Sequence, residues 1–232
     1  MVTVLMSTYN GNSFLKEQLD SIFAQTVDLN VIVRDDGSSD DTQSILELYS
    51  KKYPLKWYSG KNLRSARSFW ELILNSPDSD YYALSDQDDF WMPEKLKVAT
   101  DMLSRFEDVP ALYFSQTQLT DADLNLIKTS VIFPKCTLGE AMISHNATGC
   151  TFVFNHKLIE ILRKYTPSYF SMHDNWIYRV CLAVGGSVLF DPVPHILYRQ
   201  HKNNVIGLKN SRWKRIRLRC HRIIKKERER SR

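Results

Sequence analysis

The chain has 232 residues, of which 43% are hydrophobic and 25% are charged, and its net charge is +5. This length allows one sizeable core with accessory pieces, and the composition excludes a fibrous or largely disordered protein. The charge is unevenly spread, because residues 209–232 hold twelve Lys and Arg against two Glu, a local charge of +10 that leaves −5 for residues 1–208. An acidic body with a basic tail suggests that the tail contacts an anionic partner.

Cysteine spacing and the first residues bear on where the protein works. The four cysteines, Cys136, Cys150, Cys181 and Cys220, show no paired or metal-binding spacing, which favours reduced thiols in a cytosolic protein over a disulfide framework. The chain starts with an apolar stretch that lacks a basic leader, and it contains no run of about 18 apolar residues. The sequence therefore predicts neither a signal peptide nor a transmembrane helix, and we expect a cytoplasmic protein.

Short apolar runs alternate with helical patterns along most of the chain. The predicted strands cover residues 2–6, 30–34, 55–58, 81–84, 111–115, 127–133, 147–154, 187–191 and 195–201. The predicted helices follow a cap at Asn12 or Ser13, follow Thr42 with a stripe of Ile45, Leu48 and Tyr49, and cover 65–74, 93–106, 138–143, 156–164 and 170–183. This alternation predicts an α/β fold in which a doubly wound, mostly parallel sheet is flanked by helices.

Polar clusters follow the first, second and fourth of these strands. They are residues 7–12, the pair Asp35-Asp36, and Ser85-Asp86-Gln87-Asp88-Asp89-Phe90-Trp91. In a parallel sheet these strand ends share one edge, where ligands bind. Asp86 and Asp88 are one residue apart, so both side chains leave an extended segment on the same side and can reach one cation. A nucleotide site fits both acidic clusters, because one carboxylate can accept hydrogen bonds from a base or ribose while the other cluster holds a divalent metal with its diphosphate. A solvated turn that caps the next helix is the alternative for Asp86, Asp88 and Asp89.

Several ordered motifs carry a resemblance to a known family. Ser7-Thr8-Tyr9-Asn10-Gly11, Asp35-Asp36-Gly37-Ser38-Ser39-Asp40-Asp41-Thr42, and Asp86-Gln87-Asp88-Asp89 with Trp91 and Pro93-Glu94-Lys95-Leu96 resemble the signatures of family 2 glycosyltransferases with the GT-A, Rossmann-like fold. The Ser85–Trp91 stretch, joined by Gly149-Cys150-Thr151, His173-Asp174-x-Trp176 and Tyr198-Arg199-Gln200-His201, is similar to the rhamnosyltransferase-like branch of bacterial surface-polysaccharide biosynthesis. The resemblance covers residues 2–207.

The resemblance implies roles for individual residues. Nucleotide-sugar binding is implied for Thr8, Tyr9, Asn10, Asp35, Asp36, Asp86 and Gln87. Asp86 and Asp88 form a DxD pair that implies Mn²⁺ or Mg²⁺ as cofactor, with Asp88 as the direct ligand and His201 near the metal or the diphosphate. The implied acceptor or donor-sugar pocket consists of Trp91, Gly149, Cys150, Thr151, His173 and Trp176.

Asp174 matches the carboxylate that acts as general base in inverting members of the family. An acceptor hydroxyl must lose a proton as it attacks the anomeric carbon, so one carboxylate separate from the metal cluster is needed. An N-cap role for His173 and Asp174 is the alternative. One departure from the family is visible, since members usually have Asn-x-Gly where this chain has Asn62-Leu63-Arg64. Arg64 or Arg67 would then contact phosphate instead.

Residues 209–232 read as a segment separate from the rest. Trp213, Ile216, Cys220, Ile223 and Ile224 fall at helical spacing, with Lys and Arg over the remaining faces. This pattern predicts a basic amphipathic helix that binds an anionic membrane surface. The acidic body and the lack of a recognisable module argue against nucleic acid as the partner, and a plain surface helix stays open. We expect residues 1–208 to form the GT-A domain, with a nucleotide-sugar-binding half over about 1–110 and an acceptor-binding half over about 111–208.

These features together predict an inverting, metal-dependent hexosyltransferase that moves rhamnose from dTDP-rhamnose to a growing, lipid-linked cell-surface glycan. The protein would work peripherally at the inner face of the cell membrane. The alternatives are a UDP-hexose donor, such as UDP-galactose or UDP-glucose, and a nucleotide-sugar-binding subunit without catalysis. The expected partners are the nucleotide-diphosphate sugar donor, the glycan acceptor and the membrane surface, with a homo-oligomer as an open point.

Overall fold

The computed structural model describes residues 1–143, 147–169 and 171–201. The amphipathic tail predicted over 209–232, with Cys220, lies outside the described residues. Within them, no helix is long and apolar enough to cross a membrane. The free cysteines among the described residues are Cys136, which is exposed, and Cys150 and Cys181, which are buried.

Helices fall between the first four strands, as the alternating pattern predicts. The strands are β1 (Val2–Thr8), β2 (Leu29–Asp35), β3 (Leu55–Ser59), β4 (Tyr81–Ser85), β5 (Phe90–Trp91), β6 (Ala111–Ser115), β7 (Gln118–Thr120), β8 (Leu126–Thr129), β9 (Val153–Asn155), β10 (Ser187–Asp191) and β11 (Ile196–Arg199). The helices are α1 (Leu15–Phe23), α2 (Thr42–Ser50), α3 (Arg64–Asn75), α4 (Lys95–Leu103), α5 (Leu138–Ile143), α6 (His156–Arg163) and α7 (His173–Ala183). Short 3₁₀ turns cover Ser104–Phe106 and Gly149–Thr151.

Seven strands form the main sheet in the order β10-β6-β9-β4-β1-β2-β3. Strand β9 is antiparallel to β4 and β6, and the other pairings in this sheet are parallel. A smaller sheet has the order β5-β11-β7-β8. The predicted α/β class and the mostly parallel sheet are confirmed, whereas the antiparallel β9 and the second sheet were not predicted. Both sheets take strands from each predicted half of the domain.

Strand β1 shows why the main sheet is covered on both faces. Its residues from Val2 to Met6 are all buried. Val4 and Met6 pack in one apolar cluster with α1, α2 and α4, and Leu5 packs in a second cluster with α3, α6 and α7. Neighbouring side chains on a strand point to opposite faces, so this continuous apolar run is buried between two helical layers.

The start of α1 differs from the prediction. The helix begins at Leu15, and neither Asn12 nor Ser13 caps it, because Phe14 occupies the cap position without a side-chain hydrogen bond. Asn12 N instead donates to Asp40 Oδ2 at 3.1 Å. The loop before α1 is therefore fixed by the loop that precedes α2.

Leu48 does not belong to the buried stripe of α2. It is 60% exposed, because the stripe follows Thr42, Ile45, Leu46 and Tyr49, the i, i+3, i+4, i+7 spacing of one helical face. The strand predicted over 147–154 is also wrong in its first half, where Phe152 N donates to Gly149 O at 2.9 Å in a 3₁₀ turn. The elements predicted over 93–106, 127–133, 170–183 and 195–201 are present but shorter, as α4, β8, α7 and β11.

Lys95, at the start of α4, is buried among apolar groups. It is 1% exposed, and its Nζ lies 3.7 Å from the ring centroid of Trp91. Within the described part of the chain, Nζ has no hydrogen-bond partner. Burial lowers the pKa of Lys95 to about 7, against smaller opposing effects of Cys150 and Asp89. Lysine at this position therefore opposes folding wherever only the unfolded chain carries the proton.

Replacing Lys95 by methionine should stabilise the fold in a pH-dependent way. Between the folded-state pKa of about 7 and an unfolded-state value of about 10.4, the wild-type chain takes up a proton on unfolding. Its stability therefore rises with pH across this window, and the Lys95→Met variant lacks that rise. We expect the variant's gain in free energy of unfolding to be about 3 kcal/mol larger near pH 7 than near pH 9.5, measured by urea denaturation.

Lys97→Met is the matched control for this experiment. Lys97 lies on the same helix, and its exposed amine pairs with Asp101 at 2.7 Å. We expect its substitution to have the same effect on stability at both pH values, because its amine stays in water when the protein folds. An equal gain for Lys95→Met at the two pH values would contradict the lowered pKa of Lys95.

Candidate active site

The carboxyl ends of β1, β2 and β4 meet at one edge of the main sheet. The parallel registers pair Thr8 with Asp35 and Met6 with Ser85. Thr8 Oγ1 donates to Asp35 Oδ1 at 3.1 Å. The three polar clusters that were predicted to share one edge are therefore brought together.

The side-chain amide of Gln87 joins the loops after β1 and β4. Tyr9 N donates to Gln87 Oε1 at 2.8 Å, and Gln87 Nε2 donates to Tyr9 O at 3.0 Å. A Cβ atom on Gly11 would overlap Gln87 Oε1, so a larger residue at this position would displace the Gln87 amide from these two hydrogen bonds. The Tyr9 side chain is exposed beside this contact.

Asn10 and Asp35 connect the β1 loop to the loop after β2. Asn10 N donates to Ser38 Oγ at 2.9 Å. Burial alone would raise the pKa of Asp35, but hydrogen bonds from Ser38, Gln43 and Ser59 outweigh it and lower the pKa below its ordinary value. Asp35 is therefore an ionised carboxylate held beneath the two loops.

Asp36 is buried and holds the loop before α3. It forms an ion pair with Arg34 and accepts hydrogen bonds from the backbone N of Leu63 and of Arg64, each at 2.9 Å. Arg34 Nε also lies 3.0 Å from Glu71 Oε2. The side chain of Asp36 thus fixes this loop to the end of β2, and its contact with a nucleotide stays a prediction.

Both predicted metal-binding carboxylates lie at the end of β4. Asp88 Oδ2 is 2.6 Å from His201 Nε2, so the structure brings this predicted pair together. Burial, followed by the charges on Asp88 and Asp174, raises the pKa of Asp86 to about 7. The DxD pair, His201 and the predicted base therefore share one site, although they come from three distant parts of the fold: β4, β11 and α7 with their loops.

Asp89 and Cys150 form a buried layer behind Asp86. One ligand atom from each of these three residues lies within 4.8 Å of the other two. Burial, followed by the charges on Asp88 and Asp86, raises the pKa of Asp89 well above its usual value, and burial does the same for the Cys150 thiol. Both shifts favour the protonated forms, so this layer supports Asp86 without adding full charge to the site.

Two arginines that were not predicted to belong to the site hold its acidic residues and loops in place. Arg199 is buried, its Nε donates to Asp88 O at 2.9 Å, and its guanidinium pairs with Glu17. Its backbone N donates to Asp89 Oδ1 at 3.2 Å. Arg34 has the corresponding role beside Asp36. The sequence feature that could have identified Arg199 is its place in the Tyr198-Arg199-Gln200-His201 motif. For Arg34, the only such feature is its position at the end of a strand.

Three residues predicted to line a sugar pocket are buried in the core. Trp91 is 1% exposed, Cys150 is 2% exposed and Thr151 is fully buried. Trp91 belongs to β5, where its N donates to Ser21 Oγ at 3.0 Å, and the 3₁₀ turn carries the other two inward. Their contact with a sugar stays a prediction, and in this structure they lie behind the carboxylates.

Gly149 packs against the first turn of α7. A Cβ atom on Gly149 would lie 3.0 Å from His173 Nε2 and 3.1 Å from Asp174 Cβ. The His173 ring is buried and stacks on Phe69 with centroids 4.1 Å apart, and burial lowers its pKa. Trp176 is half-buried one turn further along. These contacts fix the position of Asp174.

Asp174 is the second residue of α7 and is 8% exposed. The N-cap is Met172, which makes no side-chain cap hydrogen bond, so the N-cap alternative for His173 and Asp174 is wrong. Asp174 Oδ1 accepts a hydrogen bond from Asn175 N at 2.6 Å. The carboxylate is therefore held by its own helix within the electrostatic range of Asp86.

The two arginines predicted to contact phosphate are exposed on α3. Arg67 Nη2 donates to Ser168 O at 3.2 Å. Arg64 is the first residue of the helix and has a φ of 65°. Both lie on the helix whose start is bonded to Asp36, so they are near the end of β2.

Comparisons with known sequences agree with this arrangement. The profile described as "Glycosyl transferase family 2" matches residues 3–163. The chain is 30% identical over 249 aligned positions to the "dTDP-rhamnosyl transferase RfbG" of Shigella flexneri, and the match covers 96% of this chain and 81% of that protein. It is 24% identical over 208 positions to an uncharacterized glycosyltransferase of Rickettsia typhi, covering 87% of this chain and 64% of that protein.

Solved structures share the fold. S. aureus TarS, residues 1–349, superposes with a TM-score of 0.68 at 20% identity, covering 85% of this chain and 60% of that one. The mannosyltransferase PcManGT from Pyrobaculum calidifontis, in complex with GDP-Man and Mn²⁺, gives a TM-score of 0.64 at 18% identity and covers 88% and 58%. The predicted GT-A fold is confirmed. A family profile that spans most of the chain, on a sheet that gathers its motifs at one edge, shows that this protein belongs to glycosyltransferase family 2.

Proposed function

We propose that the protein is an inverting, metal-dependent glycosyltransferase that transfers rhamnose from dTDP-rhamnose to a hydroxyl of a growing, lipid-linked cell-surface glycan. The observation that carries this proposal is that Asp174, at the start of α7, lies close enough to Asp86, after β4, for their charges to interact. The Shigella relative is described as a dTDP-rhamnosyl transferase, which supports rhamnose as the sugar.

Asp174 is the general base in this proposal. The acceptor hydroxyl must lose its proton as it attacks the anomeric carbon, and inversion requires that base on the face opposite the leaving diphosphate. Asp174 comes from a different element than Asp86 and Asp88, and the packing of Gly149 and His173 holds it in place. A single displacement needs a base that is separate from the carboxylates that hold the metal and the diphosphate.

Asp86, Asp88 and His201 would hold the Mn²⁺ or Mg²⁺ ion. Carboxylate oxygens are the donors that both cations prefer, and an imidazole also suits a transition metal. Burial raises the pKa of Asp86, and the charges on Asp88 and Asp174 raise it further, so a divalent cation would offset the charge of this cluster. When bound, the ion would supply positive charge against the charge that develops on the departing nucleoside diphosphate.

The nucleotide would bind against the loops after β1 and β2. Ligands of open α/β sheets bind at this edge, where Thr8 donates to Asp35, Asn10 N donates to Ser38, and the neighbouring Tyr9 side chain is exposed. Gln87 ties these loops to the DxD segment. The donor would therefore extend from the ends of β1 and β2 toward Asp86 and Asp88. A UDP-hexose would use the same contacts, so a panel of donors decides the sugar.

Attachment to a membrane surface is supported by charge and by exposed apolar groups. The tail carries a charge of +10 over residues 209–232. In the described part, Val131, Phe133 and Ile143 are 74%, 69% and 81% exposed. Basic residues and apolar side chains together favour the interface of an anionic bilayer. Binding to the bilayer would bring the enzyme to a lipid-linked acceptor.

Replacing the two key carboxylates should separate their roles. Asp174→Asn should lower sugar transfer about 1,000-fold, because a general base contributes on the order of 10² to 10⁴, and should leave donor binding intact. Asp88→Asn should lower transfer and also weaken the thermal stabilisation that donor and Mn²⁺ give together. The measurements are nucleoside diphosphate release and thermal unfolding with dTDP-rhamnose, UDP-galactose and UDP-glucose.

Asp101→Asn is the control, because Asp101 is an exposed carboxylate on α4 that pairs with Lys97. It should leave transfer and donor binding at the wild-type level. Transfer at the wild-type rate by the Asp174→Asn and Asp88→Asn variants would contradict both assigned roles. If a UDP-hexose stabilises the protein and dTDP-rhamnose does not, the donor is the UDP-hexose, and the roles of Asp174 and Asp88 are unaffected.

Removing residues 209–232 should weaken binding to anionic liposomes. The deletion removes a local charge of +10, and each basic residue near anionic lipid contributes on the order of 1 kcal/mol. Co-sedimentation with phosphatidylglycerol vesicles measures the effect, neutral vesicles serve as the control, and thermal stabilisation by the donor should be unchanged. Equal binding of the full-length and shortened proteins to anionic vesicles would rule out the tail as the membrane contact.

A further inference from the structure

Arg64 adopts a backbone conformation that favours glycine. Its φ is 65°, in the left-handed region where a Cβ atom crowds the neighbouring carbonyl oxygen. Asparagine tolerates this region and glycine enters it freely, but a long side chain does not. Residues held in such conformations cluster at functional sites. An arginine at this position therefore suggests that its side chain has a function that offsets the backbone strain.

The surrounding contacts impose this conformation. Arg64 N donates to Asp36 Oδ2 at 2.9 Å and to Asn62 Oδ1 at 3.1 Å. Asp36 also accepts from Leu63 N, and Arg34 holds it in an ion pair. The backbone of Arg64 is thus anchored to the carboxyl end of β2, where the nucleotide is proposed to bind.

The next turn of α3 ties the helix to the rest of the site. Ser68 Oγ and Ser7 Oγ, at the end of β1, are 2.6 Å apart. Phe69 stacks on His173, the neighbour of the proposed base. Arg64 therefore begins a helix whose first two turns lie between the nucleotide edge and Asp174.

The negative charge at this edge of the sheet favours a positively charged side chain in addition to the metal ion. Asp86, Asp88 and Asp174 share the site, and a nucleoside diphosphate brings more negative charge. Arg34 and Arg199 are buried in ion pairs, and Arg67 donates to Ser168 O. The Arg64 side chain is exposed, and it forms no hydrogen bond or ion pair with another residue that the structure describes.

We propose that Arg64 binds the diphosphate of the nucleotide-sugar donor, and that the left-handed backbone is retained for the sake of this charge. This inference rests on the proposed function and chooses between the two exposed arginines of α3. A guanidinium matches the paired oxygens of a diphosphate. Arg67, by contrast, has a structural partner in the 165–169 segment.

Two substitutions test the proposal, because they remove the same charge but differ in backbone freedom. Arg64→Ala and Arg64→Gly should each weaken dTDP binding about tenfold or more and dTMP binding less than about threefold, since a charged hydrogen bond to the second phosphate is lost. Isothermal titrations at one fixed Mn²⁺ concentration measure both nucleotides. Arg64→Gly should melt about 2–4 °C above Arg64→Ala, the reverse of the usual order in a helix, because glycine relieves the strain.

The control is Arg105→Ala, an exposed arginine that follows the far end of α4, which should leave both affinities unchanged. Unchanged dTDP affinity in the Arg64 variants, or equal losses for dTDP and dTMP, would overturn the proposal while the proposed function stands. If Arg67→Ala loses the preference for dTDP over dTMP and the Arg64 variants keep it, the contact belongs to Arg67 and the proposal is also overturned. A wild-type protein that binds neither dTDP nor UDP would instead refute the proposed function.

Discussion

The parallel pairing of β1 with both β2 and β4 is the constraint on which the rest of the site depends. It sets Thr8 level with Asp35 and Met6 level with Ser85, so the polar loops after these strands leave the sheet at one edge. The pairing is fixed because β1 is buried between two helical layers, and a slip of one residue would exchange its faces. The apolar core thereby positions carboxylates that it does not touch.

The carboxylates at this edge are stabilised in two different ways. Asp35 and Asp36 are satisfied from within the chain, by hydrogen bonds and by Arg34, and they hold the loops in place. Among the described residues, no hydrogen bond or cation offsets the charge of the Asp86 carboxylate in this way, and burial, followed by the charges on Asp88 and Asp174, raises its pKa to about 7. Asp35 and Asp36 therefore hold the loops of the site, whereas Asp86 is suited to bind a cation and to take part in chemistry.

The sequence predicted what depends on local pattern and missed what depends on distant partners. The strand ends could be predicted because a short apolar run followed by Asp, Asn or Gly is a local signal. The burial of Trp91 and Lys95 depends on the packing of β5 and α4, and the second ion pair of Arg34 is with Glu71, 37 residues away. The antiparallel direction of β9 is set by its pairing with β4 and β6, which no local pattern encodes. Leu48 was misplaced because two helical phases fit the apolar residues of α2, and only packing selects one.

The stereochemistry of the released sugar tests most directly whether Asp174 acts as a base opposite a leaving diphosphate. Water can replace the acceptor, so hydrolysis of the donor that stabilises the protein best gives a free sugar without knowledge of the natural glycan. Proton NMR spectra recorded before the anomers equilibrate report its configuration. We predict the anomer opposite to that of the donor. Release of the sugar with the donor's own configuration would contradict single displacement and the role of Asp174.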